Sequence, residues 1–155
     1  MKLFVTSEDI LQMAMDKFEA TGLMQVGLNL KVMSTTKSKD VLKVSKASAT
    51  TQFLSKNTDI ILVVYEEAFD RLPGNLQAKL MEGALSNVSY DNEKDKINVD
   101  TSQYGEIMRM RQKYEDYVDI VETAMTVIQS IEEEEKERKE MEKAAKQAKK
   151  NKNNG

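Results

Sequence analysis

The sequence predicts an α+β fold with a small mixed sheet of about three to four strands. Three helices are expected to pack against this sheet: an N-terminal helix, a central helix and a long C-terminal helix with a charged extension. Three observations lead to this class. Residues 60–65 form an apolar, β-branched run, which is typical of a central strand covered on both faces. Residues 26–32 alternate apolar and polar side chains, as in a half-buried strand. Segments with a helical period lie before and after these runs.

The first predicted helix covers residues 7–20. Ser7 is placed to cap its N-terminus, and Glu8 and Asp9 supply the negative charge that the positive end of a helix dipole favours. Gly22 can end the helix. Its apolar residues recur at helical spacing and are Ile10, Leu11, Ala14 and Phe18.

Two strands are predicted after this helix. The first covers residues 26–32, and its apolar members are Val26, Leu28, Leu30 and Val32. Residues 34–40 are polar and predict a turn. A second, weaker strand follows, with the apolar members Val41, Leu42 and Val44.

A polar segment separates the second strand from the central one. Residues 45–58 are rich in Ser, Thr and Lys and predict a loop, with Phe53 and Leu54 as a local apolar anchor. The central strand at 60–65 comes next. Residues 66–72 then have the pattern of a short helical turn.

A central helix is predicted to begin near Pro73, whose missing N–H costs nothing in the first turn. The apolar face of this helix consists of Leu76, Leu80, Ala84, Leu85 and Val88. Residues 90–99 predict a hairpin, or a loop followed by a strand, with its turn near Asp91, Asn92 and Glu93.

The C-terminal helix is expected to start near Ser102 and carries a heptad seam about three repeats long. The seam consists of Met110, Tyr114, Tyr117, Val121, Ala124, Ile128 and Ile131. Two Tyr and one Ala make a poor dimer core, so packing within the chain is favoured over pairing with another chain. We therefore divide the sequence into an α+β core domain at 1–101, an amphipathic helix that packs on it at 102–131, and a charged tail at 132–155.

The tail has strong helix formers but almost no apolar side chains to bury. Glu132 to Glu135 form an acidic block, and no acidic residue follows Glu142. The basic end consists of Lys143, Lys146, Lys149, Lys150 and Lys152, called the tail lysines below. We expect a solvated helix that frays into disorder from Asn151 to Gly155.

Composition argues against several kinds of chemistry. The chain contains no His and no Cys, so it lacks the usual zinc ligands and the Ser-His or Cys-His pairs of nucleophilic catalysis. It has no glycine-rich phosphate loop, and we predict no cofactor. A formal net charge of −3 argues against nucleic-acid binding through bulk charge. Neither a signal peptide nor a membrane span is recognisable, and the absence of Cys fits a reducing cytoplasm.

Carboxylates are the remaining candidates for a metal site, since their oxygens suit a hard cation such as magnesium. One group, after the central strand, consists of Glu66, Glu67 and Asp70. Another, around the predicted hairpin, consists of Asp91, Glu93, Asp95 and Asp100. Their spacing matches no calcium-loop pattern, so solvated turns and strand edges are favoured over a metal site.

Basic residues suggest contact with nucleic acid as an alternative. Arg109, Arg111 and Lys113 lie near Tyr104 and Tyr114, as in a face on which bases stack. The acidic residues interleaved with them are Glu106, Glu115, Asp116 and Asp119. This mixture favours a solvated helix face, so the tail lysines are the better electrostatic candidate.

Residues 41–114 resemble a family of phage metallopeptidases that includes members from crAss-like phages. The resemblance lies in the order of a strand, a loop, an apolar strand, a helix, an acidic segment and a further helix entry. The matching stretches are VLKVSKAS, TDIILVVYEEAFDRLP, NLQAKLMEGALSNV, SYDNEKDKINVD and SQYGEIMRMRQKY. The helix of that family carries the HExxH motif, in which two His hold zinc and the Glu is the general base.

This chain departs from the motif at every catalytic position. Gly83 stands where the first His would be, Ala84 where the Glu would be, and Asn87 where the second His would be. The resemblance, over about half of the chain, therefore implies a non-catalytic descendant without its zinc site. Because a glycine inside a helix costs about 1 kcal/mol relative to alanine, Gly83 predicts the close approach of a neighbouring element.

From these observations we expect a non-enzymatic, phage-encoded interaction protein with a protein partner. Its expected location is the cytoplasm of an infected cell, with the virion as the alternative. The hypothesis predicts no zinc in the purified protein, and partner binding that weakens when residues 132–155 are deleted. Two alternatives stay open: a nucleic-acid-associated accessory protein that acts through the tail lysines, and a residual hydrolase that depends on magnesium.

Overall fold

The computed structural model describes residues 1–153 and shows an α+β fold, as the sequence predicts. Six strands and six α-helices lie within these residues. The first half consists of β1 (Leu3–Phe4), α1 (Glu8–Ala20), β2 (Leu30–Thr35), β3 (Leu42–Lys46), α2 (Ala49–Leu54) and β4 (Ile60–Tyr65). The second half consists of α3 (Glu66–Asp70), α4 (Gly74–Leu85), β5 (Val88–Asp91), β6 (Lys96–Val99), α5 (Gln103–Arg111) and α6 (Tyr117–Asn153).

Four strands form a mixed sheet in the order β1-β2-β4-β3, and β5 pairs with β6 in a separate hairpin. β4 lies inside the sheet, parallel to β2 and antiparallel to β3. Ile60, Leu62 and Val64 point into the core and are fully buried, whereas Ile61 and Val63 on the opposite face are half-buried. The prediction of a central strand is confirmed, but only one of its faces is fully covered.

β2 begins later than the sequence predicts. Residues 23–26 form a short 3-10 helix between Gly22 and Gly27, whose φ angles are 80° and 87°. Such left-handed backbone, which glycine adopts without a steric penalty, interrupts the extended chain. The strand predicted at 26–32 therefore runs over Leu30–Thr35, and it takes in the first two residues of the predicted turn.

A short helix, α2, occupies part of the connection between β3 and β4 that was predicted to be a loop. The Ser48 side chain caps it by accepting a hydrogen bond from Thr51 N–H at 3.1 Å. Phe53 and Leu54 are 81% and 78% exposed, so the prediction that they anchor this segment is wrong. A helix of six residues is too short to bury a long apolar stripe, and none of its side chains is buried.

The single predicted C-terminal helix is two helices, because α5 ends at Arg111 and α6 begins at Tyr117. The N–H groups of Lys113 and Tyr114 both donate to Met110 O, at 3.1 and 2.7 Å, so the helical ladder ends in a turn. The heptad seam packs within the chain, as predicted. All of its residues are buried except Tyr114, which is half-buried.

α6 continues far beyond the globular part of the molecule. After Ile131 all described side chains but one are exposed. Arg71 anchors the start of this extension through two hydrogen bonds to the Glu134 carboxylate, at 3.0 and 2.8 Å. The helix includes residues 151–153, where fraying was predicted, and residues 154–155 lie outside the described part. No helix within the described residues combines the length and apolar character needed to cross a bilayer.

Candidate binding groove

The three positions compared with the HExxH motif, Gly83, Ala84 and Asn87, lie beside α5 and α6. Gly83 is buried in α4, where a Cβ atom would stand 2.6 Å from Tyr117 Cζ on α6 and closer still to its hydroxyl oxygen. Real Cβ atoms do not approach other atoms so closely, so only glycine allows this packing without a shift. The predicted close approach of a neighbouring element at Gly83 is therefore confirmed.

The Tyr117 hydroxyl belongs to a cluster of hydrogen-bonded side chains, called the polar cluster, formed by Asn87, Asp100, Glu106, Arg109 and Tyr117. The ring of Tyr117 is fully buried, and its hydroxyl donates to Glu106 Oε2 at 2.6 Å. Burial and the neighbouring Glu106 carboxylate raise the pKa of Tyr117 well above 10.0, so the hydroxyl remains a donor.

Asn87 joins the two charged ends of the polar cluster. Its amide nitrogen donates to Glu106 Oε1 at 2.8 Å, and its amide oxygen accepts a hydrogen bond from Arg109. Arg109 also donates to Asp100 Oδ2 at 2.8 Å. The Arg109 hydrogen bond, together with one from the backbone of Ser102, lowers the pKa of Asp100. These hydrogen bonds favour the ionised form of Asp100, and each carboxylate oxygen of Glu106 accepts one hydrogen bond within the cluster.

The carboxylate of Glu82, on α4, also has hydrogen-bonding and ionic partners. Burial opposes ionisation of Glu82, but hydrogen bonds from Lys113 and Tyr114 outweigh it, and the pKa of Glu82 is lowered. The Tyr114 hydroxyl donates to Glu82 Oε2 at 2.7 Å, and Lys113 forms an ion pair with the other carboxylate oxygen. The amino group of Lys79 lies 4.9 Å from the centre of the Tyr114 ring.

These residues do not fit the zinc ion of the metallopeptidase motif. Gly83 offers no ligand atom, and Tyr117 fills the space into which a side chain at that position would project. Both polar atoms of the Asn87 amide already have partners in the polar cluster. No three Asp or Glu side chains of residues 1–153 converge in a way that could hold a metal ion. A hydrogen-bonded cluster thus occupies the place where the metallopeptidases of the resemblance hold their metal.

The predicted carboxylate groups serve local structure instead. Glu66 accepts hydrogen bonds from Ser7 N–H and the Ser34 hydroxyl, both at 2.8 Å. Desolvation, with Glu66 nearby, raises the pKa of Asp70. In the hairpin, Asp91 accepts from Glu93 N–H at 3.0 Å. Glu67 pairs with Arg71, Asp95 accepts from Tyr90, and Asp100 belongs to the polar cluster. Glu93 is exposed.

The basic and aromatic residues predicted as an alternative nucleic-acid face do not form one free surface in the fold. Arg109 and Lys113 are paired with acidic side chains, and Tyr114 donates to Glu82. Tyr104 and Arg111 are exposed. The tail lysines are all exposed along the last turns of α6, so they stay apart from the polar cluster in the globular part.

A groove of about 320 Å³ opens next to the polar cluster. Residues 39–44, which contain most of β3 and the chain leading to it, form one wall, and residues 100–103 contribute to another. Leu80, Ala84, Asn87 and Glu106 line it from the side of α4 and α5, and Val121, Ala124, Met125 and Ile128 line it from α6. The groove therefore adjoins Ala84 and Asn87, two of the three positions compared with the motif.

β3 is an edge strand, and its hydrogen-bonding pattern shows which backbone groups point away from the sheet. Tyr65 N–H donates to Val41 O, and Ala47 N–H donates to Asp59 O, both at 2.9 Å. These two pairs place the odd-numbered residues in the hydrogen-bonded pairs with β4. The alternation of an antiparallel ladder then turns the backbone groups of Leu42 and Val44 away from β4, along the groove. β6 lies close to β3 without pairing with it.

Sequence reasoning missed the groove and the partners of the polar cluster. Edge position depends on strand order, which no local pattern in β3 encodes. One signal was present in part: a glycine within a helix and a tyrosine within an apolar seam, Gly83 and Tyr117, each depart from the expected residue type. Comparisons with protein-family models, curated proteins and solved structures found no match to this chain.

Proposed function

We propose that the protein is a non-catalytic interaction protein that binds an extended segment of a partner protein in the groove beside β3. The observation that carries this proposal is the unpaired backbone edge at Leu42 and Val44, which adjoins a groove lined by apolar side chains of α4 and α6 together with polar ones. An added strand would hydrogen-bond to this edge and place alternate side chains over the groove. Sheet edges of this kind are recognised by strand addition in many interaction domains.

The lining of the groove supports a binding role. Ala84, Val121 and Ala124 are small or β-branched and form its floor, and Met125, which is 49% exposed, stands at its rim. Its volume, about 320 Å³, is at the lower end of the range of small-ligand pockets, which suits a few side chains of a strand. The polar cluster holds the surrounding helices in position.

The lineage proposed for this scaffold is a phage metallopeptidase that has lost its zinc site. Support for this descent comes from the order of strands and helices over residues 41–114. The packing of Tyr117 against Gly83 fits the loss of a metal ligand at that position. On this proposal the purified protein contains no stoichiometric zinc and cleaves no peptide. The charged extension of α6 would then act as an adaptor or tether, so that deletion of residues 132–155 weakens capture of the partner.

Filling the groove tests the proposed function. Peptides enriched from a random library on the immobilised protein should lose at least about tenfold in affinity for Met125→Trp, a loss of about 1.4 kcal/mol. Met141→Trp is the matched control, since Met141 is 73% exposed on the α6 extension. The proposal is contradicted if no peptide is enriched, or if both variants bind the enriched peptides as the wild type does.

The tail lysines support a second candidate function, nucleic-acid association. They extend the positive charge over the end of a continuous exposed helix, and no acidic residue follows Glu142. Binding of this kind is driven by counterion release and weakens steeply with salt. A single-stranded oligonucleotide titrated at two salt concentrations, with and without residues 143–155, separates this candidate from groove binding. No binding at low salt rules it out.

A further inference from the structure

The charges of this chain are segregated along the sequence. Residues 27–58 contain six Lys and one Asp, a net charge of +5, whereas the whole chain has −3. The remaining residues therefore carry −8, since −3 minus +5 is −8. The positive segment contains β2, β3 and α2 and includes one wall of the groove.

Three of these lysines lie close to the edge strand. Lys39 and Lys43 line the groove, and Lys46 is the last residue of β3. All three side chains are exposed. Within residues 1–153 none of them forms an ion pair with an acidic side chain. Their charge is thus available to a partner.

The acidic residues of the opposite wall are already engaged. Asp100 is bound to Arg109 and to the Ser102 backbone, and Glu106 accepts from Asn87 and Tyr117. Among the groove-lining residues, Asp40 is the one acidic side chain with no ion pair or side-chain hydrogen bond in the described part of the chain. Because Lys39, Lys43 and Lys46 outnumber Asp40, the rim beside β3 has a net positive charge.

We infer that the partner segment is acidic, with carboxylate side chains alternating with apolar ones. This inference rests on the proposed strand addition at β3. Lys43 pairs across the sheet with Val63, so it lies on the face opposite to the buried Val44. On an added strand, residues on the Lys43 face meet positive charge, and the next residues in each direction lie over the apolar lining. Acidic and apolar side chains are the complements of these two faces.

A polypeptide fits these observations better than a nucleic acid does. The backbone N–H and C=O groups of Leu42 and Val44 match another extended peptide, which presents donors and acceptors at the same spacing. A nucleic-acid strand has no equivalent ladder, and the groove contains no aromatic side chain on which bases could stack.

Two capped synthetic peptides test the inference on the full chain, one alternating Val with Glu and one alternating Val with Lys. At low salt the Val–Glu peptide should bind at least about tenfold more tightly than the Val–Lys peptide. Lys43→Glu should reduce or reverse the difference in affinity between the two peptides. Lys56→Glu is the matched control, because it makes the same charge change at an exposed residue outside the groove lining.

The outcomes separate this inference from the proposed function. Equal binding of the two peptides, or tighter binding of Val–Lys, overturns the acidic partner while leaving groove binding intact, provided that Met125→Trp weakens both. If neither peptide binds, or if Met125→Trp leaves the affinity for both peptides unchanged, the strand-addition proposal fails. An oligothymidylate that binds more tightly than Val–Glu, and is weakened by Met125→Trp, also overturns the inference.

Discussion

Gly83 on α4 and the hydroxyl group of Tyr117 on α6 are packed so closely that no side chain at position 83 could be accommodated without a shift. The same hydroxyl donates to Glu106, so the contact closes the polar cluster as well as the helix interface. A helix usually avoids glycine because of its conformational freedom. Here the space gained by the absence of a side chain outweighs that cost.

Gly83→Ala is therefore expected to destabilise the fold, although alanine is the better helix former. Overpacking at a buried position costs about 1–3 kcal/mol, against the gain of about 1 kcal/mol in helix propensity. Chemical denaturation measures the change in the free energy of unfolding. Gly74→Ala is the control, because a Cβ at that position meets no atom within 4 Å.

A double-mutant cycle identifies the contact responsible. Tyr117→Phe removes the hydroxyl that lies nearest to a Cβ at Gly83. We expect Gly83→Ala to cost less in the Tyr117→Phe background than in the wild type, with a coupling of about 0.5–3 kcal/mol. Additive effects of the two substitutions would show that the contact does not decide the choice of glycine.

Asn87→Ala is expected to reduce stability by about 1–3 kcal/mol, since it leaves hydrogen-bonding groups of Glu106 and Arg109 without their shared partner. Thermal unfolding followed by circular dichroism measures the loss. Asn92→Ala, at an exposed residue of the hairpin turn, should have little effect. Equal melting temperatures for both variants would mean that the polar cluster contributes nothing to stability.

Tyr117 predicts a loss of stability in alkaline solution. Burial and Glu106 raise its pKa in the folded state above the ordinary 10.0. The stabilisation this represents is fully present below pH 10 and declines above it, because unfolding then releases a proton. The free energy of unfolding, measured by denaturation at a series of pH values above 10, should fall more steeply with pH for the wild type than for Tyr117→Phe. If the free energy of unfolding fell equally with pH in both proteins, the assignment of a buried, protonated hydroxyl would be contradicted.

Most of the order of elements could be predicted from the sequence, whereas α2, the break between α5 and α6, and several boundaries could not. The continuous apolar run at 60–65 and the regular spacing of the heptad seam are strong signals, and the strand and the buried seam are both confirmed. The start of β2 was misplaced because the left-handed Gly22 and Gly27 interrupt an alternation that looks continuous. Phe53 has no partner in the core, and hydrophobicity alone does not reveal which residues find one.

The sequence pointed to the candidate site through Gly83 and Tyr117, the two residues whose types depart from those expected at their positions. Its close neighbour follows from the way α6 crosses α4, which depends on packing between distant segments. The groove depends on β3 being at the edge of the sheet, and β3 pairs with β4 across an intervening helix. Local sequence patterns show neither relationship. The edge position of β3 and the placement of lysines beside the groove could therefore be recognised only in the folded structure.

Amide hydrogen exchange at β3 tests the central claim most directly. With a peptide selected by the wild type, strand addition predicts slower exchange at Leu42 and Val44, whose N–H groups face the groove. Exchange at Lys43 and Ser45, which already pair with β4, should change little. Slowed exchange confined to the α6 extension, or no alternation along β3, would contradict the account.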